Sequence, residues 1–140
     1  MAFQCVLDKL QYVQNCAARL VTRTKRSEHI TPVLRELHWL PVRQRIIYKI
    51  LLLTYKALNS MAPTYLTDLL QRYTPPRQLR SSSKNLLKVP NSNLKSYGER
   101  TFQVAAPKLW NELPENVKIS NSINEFKTSI KTLLFRDAFQ

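Results

Sequence analysis

The sequence reads as a small, mainly α-helical domain. Apolar residues recur at a 3.6-residue period over 3–22, 42–59 and 123–135. One glycine stands against eight prolines in 140 residues, which means few tight left-handed turns and many rigid breaks. At 44% hydrophobic and 22% charged, the chain has the composition of a globular protein, and its length allows a core that buries roughly two-thirds of the unfolded surface. Helices are expected near 3–22, 32–38, 42–59, 64–72 and 123–135, with an irregular basic arm over 73–100 that carries a short β-hairpin. The arrangement expected is one domain over 1–140: a helical core 1–72, the proline-containing arm 73–100, and a C-terminal helical segment 101–140 packing back on the core.

Residues 3–22 place Phe3, Val6, Leu7, Leu10, Val13, Ala17, Leu20 and Val21 on a helical period, with Asp8, Gln11, Asn15 and Arg19 opposite. The helix runs into Arg23, Thr24, Lys25 and Arg26. This basic cluster reads either as cations meeting the negative end of the helix dipole, as a phosphate contact, or as a weak nuclear-import signal. Thr31 before Pro32 marks a new helix start, and Pro41 disfavours helical geometry at Leu40, so Trp39 and Leu40 are expected to pack under the long helix that follows as a corner. From Pro41 the chain runs without glycine or proline to Asn59. Val42, Ile46, Ile47, Ile50, Leu51, Thr54, Tyr55 and Leu58 form an apolar arc there, and Arg45, Lys49 and Lys56 fall together on the far side.

Met61-Ala62-Pro63 breaks the chain before 64–72, where Tyr65, Leu66, Leu69 and Leu70 are expected to face inward. Residues 72–100 hold seven basic residues against Glu99 alone, with a strand expected over Leu86 to Val89. Gly98 reads as a turn with positive φ. A second strand is expected up to Val104, with a short helix from Pro107 and Trp110 as a core anchor. Ser122-x-x-Glu125 is a capping box that opens the last helix, whose stripe is Ile123, Phe126, Ile130, Leu133 and Leu134.

The net charge is +13 with a pI near 10.2, which draws polyanions. Cys5 and Cys16 are 11 residues apart, about 16 Å along a helix, too far to bridge, and two such thiols fit a reducing compartment. Asp8 and Lys9 break any signal-peptide core, and Lys49 interrupts the best apolar run, so a nuclear or cytoplasmic chain is expected, neither secreted nor membrane-bound. One glycine cannot build a phosphate-cradling loop. Cys5, Cys16, His29 and His38 lack zinc spacing, Asp8, Asp68 and Asp137 are isolated, and no two acidic residues adjoin, so neither a metal site, a cofactor nor a two-metal catalytic centre is expected.

Three blocks then carry a resemblance. They are residues 13–70, beginning VQNCAARLV; residues 80–90, RSSSKNLLKVP; and residues 96–120, SYGERTFQVAAPKLWNELPENVKIS. In this order they resemble the region downstream of the polymerase domain in reverse transcriptases of LINE-like, non-LTR retrotransposons. The patterns HWLPV-x-x-RI-x-[YF]KI and AAP-x-LWN-x-LP fix rare Trp and Pro at set places. What the resemblance implies is an accessory segment for target-primed reverse transcription. The family's polymerase aspartates belong to a domain that this sequence does not contain, so neither polymerase nor nuclease activity is expected of it, and the frame reads as a truncated, element-derived one.

Charge and resemblance together lead to a non-catalytic module that binds RNA or DNA through phosphates, without reading sequence. The expected contacts are Arg19, Arg23, Lys25, Arg26, Arg45, Lys49, Lys56, Arg77, Arg80, Lys84, Lys88 and Lys95. Tyr73 and Tyr97 lie among them and serve either to stack on unpaired bases or to pack. Two other readings stay open: a structural or protein-interaction segment that packs on a reverse transcriptase domain and exposes an apolar patch without it, and a remnant with no selected role. Nothing here fixes an oligomeric state.

Overall fold

The computed structural model describes residues 2–75, 85–91 and 98–140. Among them the α-helices are α1 (Ala2–Thr22), α2 (Ile30–Glu36), α3 (Val42–Leu58), α4 (Thr64–Thr67), α5 (Phe102–Glu112), α6 (Glu115–Lys118) and α7 (Ile123–Phe139), with a 3-10 turn at Gly98–Arg100. The chain is mainly helical, as expected. It divides into two compact units, one of residues 1–48 with 131–140 and the other of residues 49–130.

In the first unit α1 packs through a mixed face and leaves most of its expected apolar stripe outside. Leu7, Gln14 and Ala18 are buried, whereas Val6, Leu10, Val13, Leu20 and Val21 are exposed. Gln14 Nε2 donates to the Leu40 carbonyl at 2.9 Å, and Gln11 Oε1 accepts from the Val42 N–H at 2.9 Å. Ala18, Val33 and Leu34 form the centre of this unit, with Ile30, Leu37, Trp39 and Phe139 against it. Trp39 and Leu40 are expected to pack under the long helix; Trp39 instead packs on this α1–α2 centre, and the Leu40 carbonyl is taken by Gln14 of α1. Arg35 donates to the Phe139 carbonyl and lies over the Phe139 ring, 5.7 Å from its centroid. His38 stacks on Phe135 at 5.6 Å.

The second unit is built around aromatic rings. Phe126 is fully buried, stacked on Tyr55 at 4.2 Å and tilted against Trp110 at 5.9 Å. The polar tips of both partners are satisfied, since Tyr55 Oη donates to the Ser120 carbonyl and Trp110 Nε1 to the Asn85 carbonyl, each at 2.9 Å. Asn111 brackets Leu87, accepting from its N–H at 2.9 Å and donating to its carbonyl at 2.8 Å, which draws Leu87 into the core. The expectation of a core role for Trp110 holds.

Several expectations are corrected. Residues up to Val104 are not a strand: α5 begins at Phe102, and Pro107 sits inside it. Proline there removes one helical hydrogen bond, but Pro107 is fully buried beside Val104, Ala106 and Trp110, and its burial offsets the loss. The α2 helix starts two residues earlier than expected, at Ile30, with His29 as N-cap. The helix expected over 64–72 ends after Thr67, one turn that buries none of its residues: Tyr65 within it and Leu69 beyond it are exposed and not inward-facing. Beyond it a single antiparallel bridge joins Arg72 to Leu87, with Tyr73 N–H on the Leu86 carbonyl and Lys88 N–H on the Gln71 carbonyl. The rest of the expected arm, residues 76–84 and 92–97, lies outside the described residues. The α7 helix continues past 135 to Phe139, and half of the expected capping box forms: Ser122 Oγ accepts from the Glu125 N–H at 3.2 Å, while Glu125 Oε2 takes the N–H of Asn121, one residue before the cap, at 3.0 Å.

Gly98 does not have positive φ; the left-handed positions are Arg23, His38, Ser60 and Asn85, at φ of 55°, 53°, 56° and 45°. Three of them end helices. Thr24 N–H reaches back to the Arg19 carbonyl, Trp39 N–H to that of Leu34, and Met61 N–H to that of Lys56. Each is the six-residue closure of a Schellman end, where glycine is the usual occupant. A side chain at such a position costs about 1 kcal/mol.

Replacing Ser60 by Gly is therefore expected to stabilise the chain by about 0.5–1 kcal/mol, read as a higher urea midpoint at unchanged slope. Phe126→Ala removes the ring on which Tyr55 and Trp110 converge and is expected to cost about 3–5 kcal/mol in the same measurement.

Candidate nucleic-acid interface

The connection from α1 to α2 is a built loop. Thr22 Oγ1 donates to the Ala18 carbonyl at 3.0 Å and meets the Thr24 hydroxyl at 2.6 Å. Arg19 lies half-buried beneath the loop, with Nη1 on the Lys25 carbonyl and Nη2 on the Glu28 carbonyl at 2.7 Å. A guanidinium presents its donors as a rigid fork, so one side chain fixes two carbonyls three residues apart. Glu28 N–H closes on the Lys25 carbonyl at 3.2 Å. The backbone is thereby held by hydrogen bonds, and Arg23, Lys25 and Arg26 stand exposed on it.

Among the twelve cations expected at phosphates, the structure brings these four together, with Arg19 as the clamp that holds the other three in place. Arg45 and Lys49 are exposed and one turn apart on α3, and Lys56 follows half-buried. Lys88 is exposed beside the Arg72–Leu87 bridge, and Tyr73 is exposed there as well. Arg77, Arg80, Lys84, Lys95 and Tyr97 lie outside the described residues. Arg43 and Arg72 are exposed cations that sequence reasoning passed over, because each falls off the stripe or arm used to group the others.

Exposure alone does not make a cation available; a neighbouring carboxylate would neutralise it. Lys108 pairs with Glu99 in this way at 3.6 Å, on α5 and the 3-10 turn, whereas among the described residues none of Arg23, Lys25, Arg26, Arg45, Lys49 or Lys88 has such a partner. Ten Lys and Arg stand against four Asp and Glu in the first unit, and twelve against five in the second, so each unit carries its own excess. What these side chains can do is bind several phosphates at once through charge-assisted hydrogen bonds. Among the described residues no three of His, Cys, Asp and Glu gather as a metal-holding cluster, and no helix is long and apolar enough to cross a membrane.

No protein-family model, curated protein or solved structure matches the chain.

Arg19→Met keeps the aliphatic stem of the side chain and removes the fork. It is expected to free the Glu28 amide for hydrogen exchange by at least about tenfold, through loss of bonds worth about 1.5–3 kcal/mol each, while α3 amides keep their protection.

Proposed function

We propose that this chain is a non-catalytic nucleic-acid-binding segment of the accessory region of a LINE-like reverse transcriptase, acting in the nucleus or cytoplasm on RNA or DNA phosphates. The observation that carries the reading is the loop 23–28: three exposed cations on a backbone fixed by a fourth, with no carboxylate neutralising them. A loop fixed beforehand loses little entropy on meeting a phosphate backbone, so more of each contact appears as affinity. Arg45, Lys49 and Lys56 on α3 and Arg77, Arg80, Lys84, Lys88 and Lys95 of the arm 73–100 are the further phosphate contacts of this reading. The two patterns that carry the family resemblance have structural work in this fold. His38, Trp39, Leu40 and Pro41 make the corner before α3, and Ala106, Pro107, Trp110 and Asn111 build the second core. Phosphate binding then rests on the side chains around those patterns, which suits recognition by charge and not by sequence.

A second reading, a segment that packs on another protein, is favoured by one observation: α1 shows Val6, Leu10, Val13, Leu20 and Val21 to solvent. Monomeric soluble chains seldom leave so long an apolar line uncovered.

Salt titration of labelled RNA, single-stranded DNA and duplex DNA against the purified chain tests the first reading. With about six phosphates engaged, log affinity should fall against log salt with a slope near −5 on the duplex, and reversal of Arg45 and Lys49 to Glu should flatten that slope by about 2 while leaving the circular dichroism unchanged. Affinity that is weak and flat between low and moderate salt removes the proposal.

A further inference from the structure

The exposed line on α1 has a definite geometry. Val6, Leu10, Val13, Ala17 and Leu20 are spaced four, three, four and three residues apart, the a/d spacing of a coiled-coil seam. All five are exposed, Leu20 at 82% and Val13 at 63%. The helix is already held along the adjoining face by Leu7, Gln14 and Ala18, so a partner meets a preformed helix and does not have to order one.

From this we infer that α1 pairs antiparallel with α1 of a second copy of the chain. Three observations select this occupant. First, α1 carries two cations, Lys9 beside the a/d line and Arg19 bound to backbone carbonyls, whereas a helix that lies on lipid carries many along its polar face. Second, the area reaches the range of stable interfaces: the exposed portions of these side chains and Val21 come to at most roughly 600 Å² per copy, so full coverage of both copies gives roughly 1,200 Å², where such interfaces begin. Third, sterics and charge fix the direction. Antiparallel pairing sets Val6 against the partner copy's Ala17 and Leu10 against its Val13, large with small, where a parallel pair would face alanine with alanine and leave a hole. A parallel pair would also bring the two Arg23–Arg26 clusters side by side. The antiparallel pair sends them to opposite ends, farther apart than the roughly 8 Å screening length of physiological salt. Within α1 itself only Asp8, Lys9 and Arg19 are charged, so the seam lies on the least basic helix surface of a +13 chain.

The pairing is independent of nucleic-acid binding, and salt separates the two. Residual repulsion between two +13 chains weakens the pair at low salt, so association tightens as salt rises, whereas phosphate binding loosens. Sedimentation velocity of the nucleic-acid-free chain at micromolar concentration is expected to show a dimer, more stable at 0.5 M than at 0.05 M salt. Leu10→Glu with Val13→Glu should weaken it about a hundredfold or more with helix content unchanged, since both side chains are exposed and neither belongs to the core of its own copy. In a chain with Cys5 and Cys16 changed to Ser, a short bifunctional thiol reagent should join Val6→Cys to Ala17→Cys in a mixture of the two variants, but should not join Val6→Cys to itself, because antiparallel copies hold those positions roughly 16 Å apart along the axis. A monomeric chain at 100 µM would overturn the inference, as would a dimer indifferent to the glutamates or Val6→Cys joined to itself. So would a monomer that sediments with anionic phosphatidylserine vesicles through the same residues.

Discussion

Two glutamine side chains decide which way α1 faces, and much of the first unit follows from them. Pro41 stops the chain from continuing helically out of α2, which strands a carbonyl at Leu40 and an N–H at Val42, the first residue of α3. Gln14 takes the carbonyl and Gln11 the N–H. A buried backbone group without a partner costs about 1–3 kcal/mol, so satisfying two such groups is worth about as much as a pair of valines would gain by turning inward. Once Gln11 and Gln14 point to the corner, Ala18 on the same face meets Val33 and Leu34, and Arg19 beside it comes under the loop that follows. The apolar line from Val6 to Leu20 is left on the outside by the same rotation.

The helix ends impose the second condition. A chain with one glycine must close its helices with other residues, and it does so at Arg23, His38 and Ser60. His38 recovers part of the cost by stacking on Phe135. Ser60 makes no comparable contact. Arg23 has a different relation to its position: glycine there would make a cheaper helix end but would take away a cation from the loop of Arg23, Lys25 and Arg26. Strain kept at a charged, exposed position fits a residue that serves binding rather than folding.

The long helices were legible in the sequence because a 3.6-residue period repeats over four or more turns in α1, α3 and α7, and because Ser122 and Glu125 announce the start of the last. Periodicity states which residues share a face; it does not state which face is inside. For α1 that choice was made by hydrogen bonds to a corner far along the chain, which no local pattern encodes. The α5 helix was hidden for a related reason. Pro107 reads as a first-turn residue, so Val104 before it looked like strand, until burial of the ring between Val104 and Trp110 made a proline tolerable mid-helix. At the candidate site the excess charge was plain from composition, and so was the cluster at 23–26. Arg19 was grouped with the other cations by its position alone, since a bond from its fork to the Lys25 and Glu28 carbonyls depends on the path of the loop and not on residue type.

The apolar line and the basic loop divide the first unit between two kinds of attraction that respond oppositely to conditions. Burial of Val6, Leu10, Val13 and Leu20 is short-ranged and nearly indifferent to ionic strength, while the field of Arg23, Lys25 and Arg26 reaches several ångströms into solvent and fades as salt is added. If apolar and cationic residues were interleaved on one surface, each would spoil the other: the charges would resist desolvation at a protein contact, and the valines would contribute nothing at a phosphate. Arg19 marks the boundary, the last charged residue within α1 and the one whose guanidinium is turned away from solvent onto backbone carbonyls. Holding its charge under the loop keeps the C-terminal end of the apolar line free of a cation and at the same time sets the three that follow outward. One side chain thus separates a surface suited to a helix from a surface suited to a polyanion.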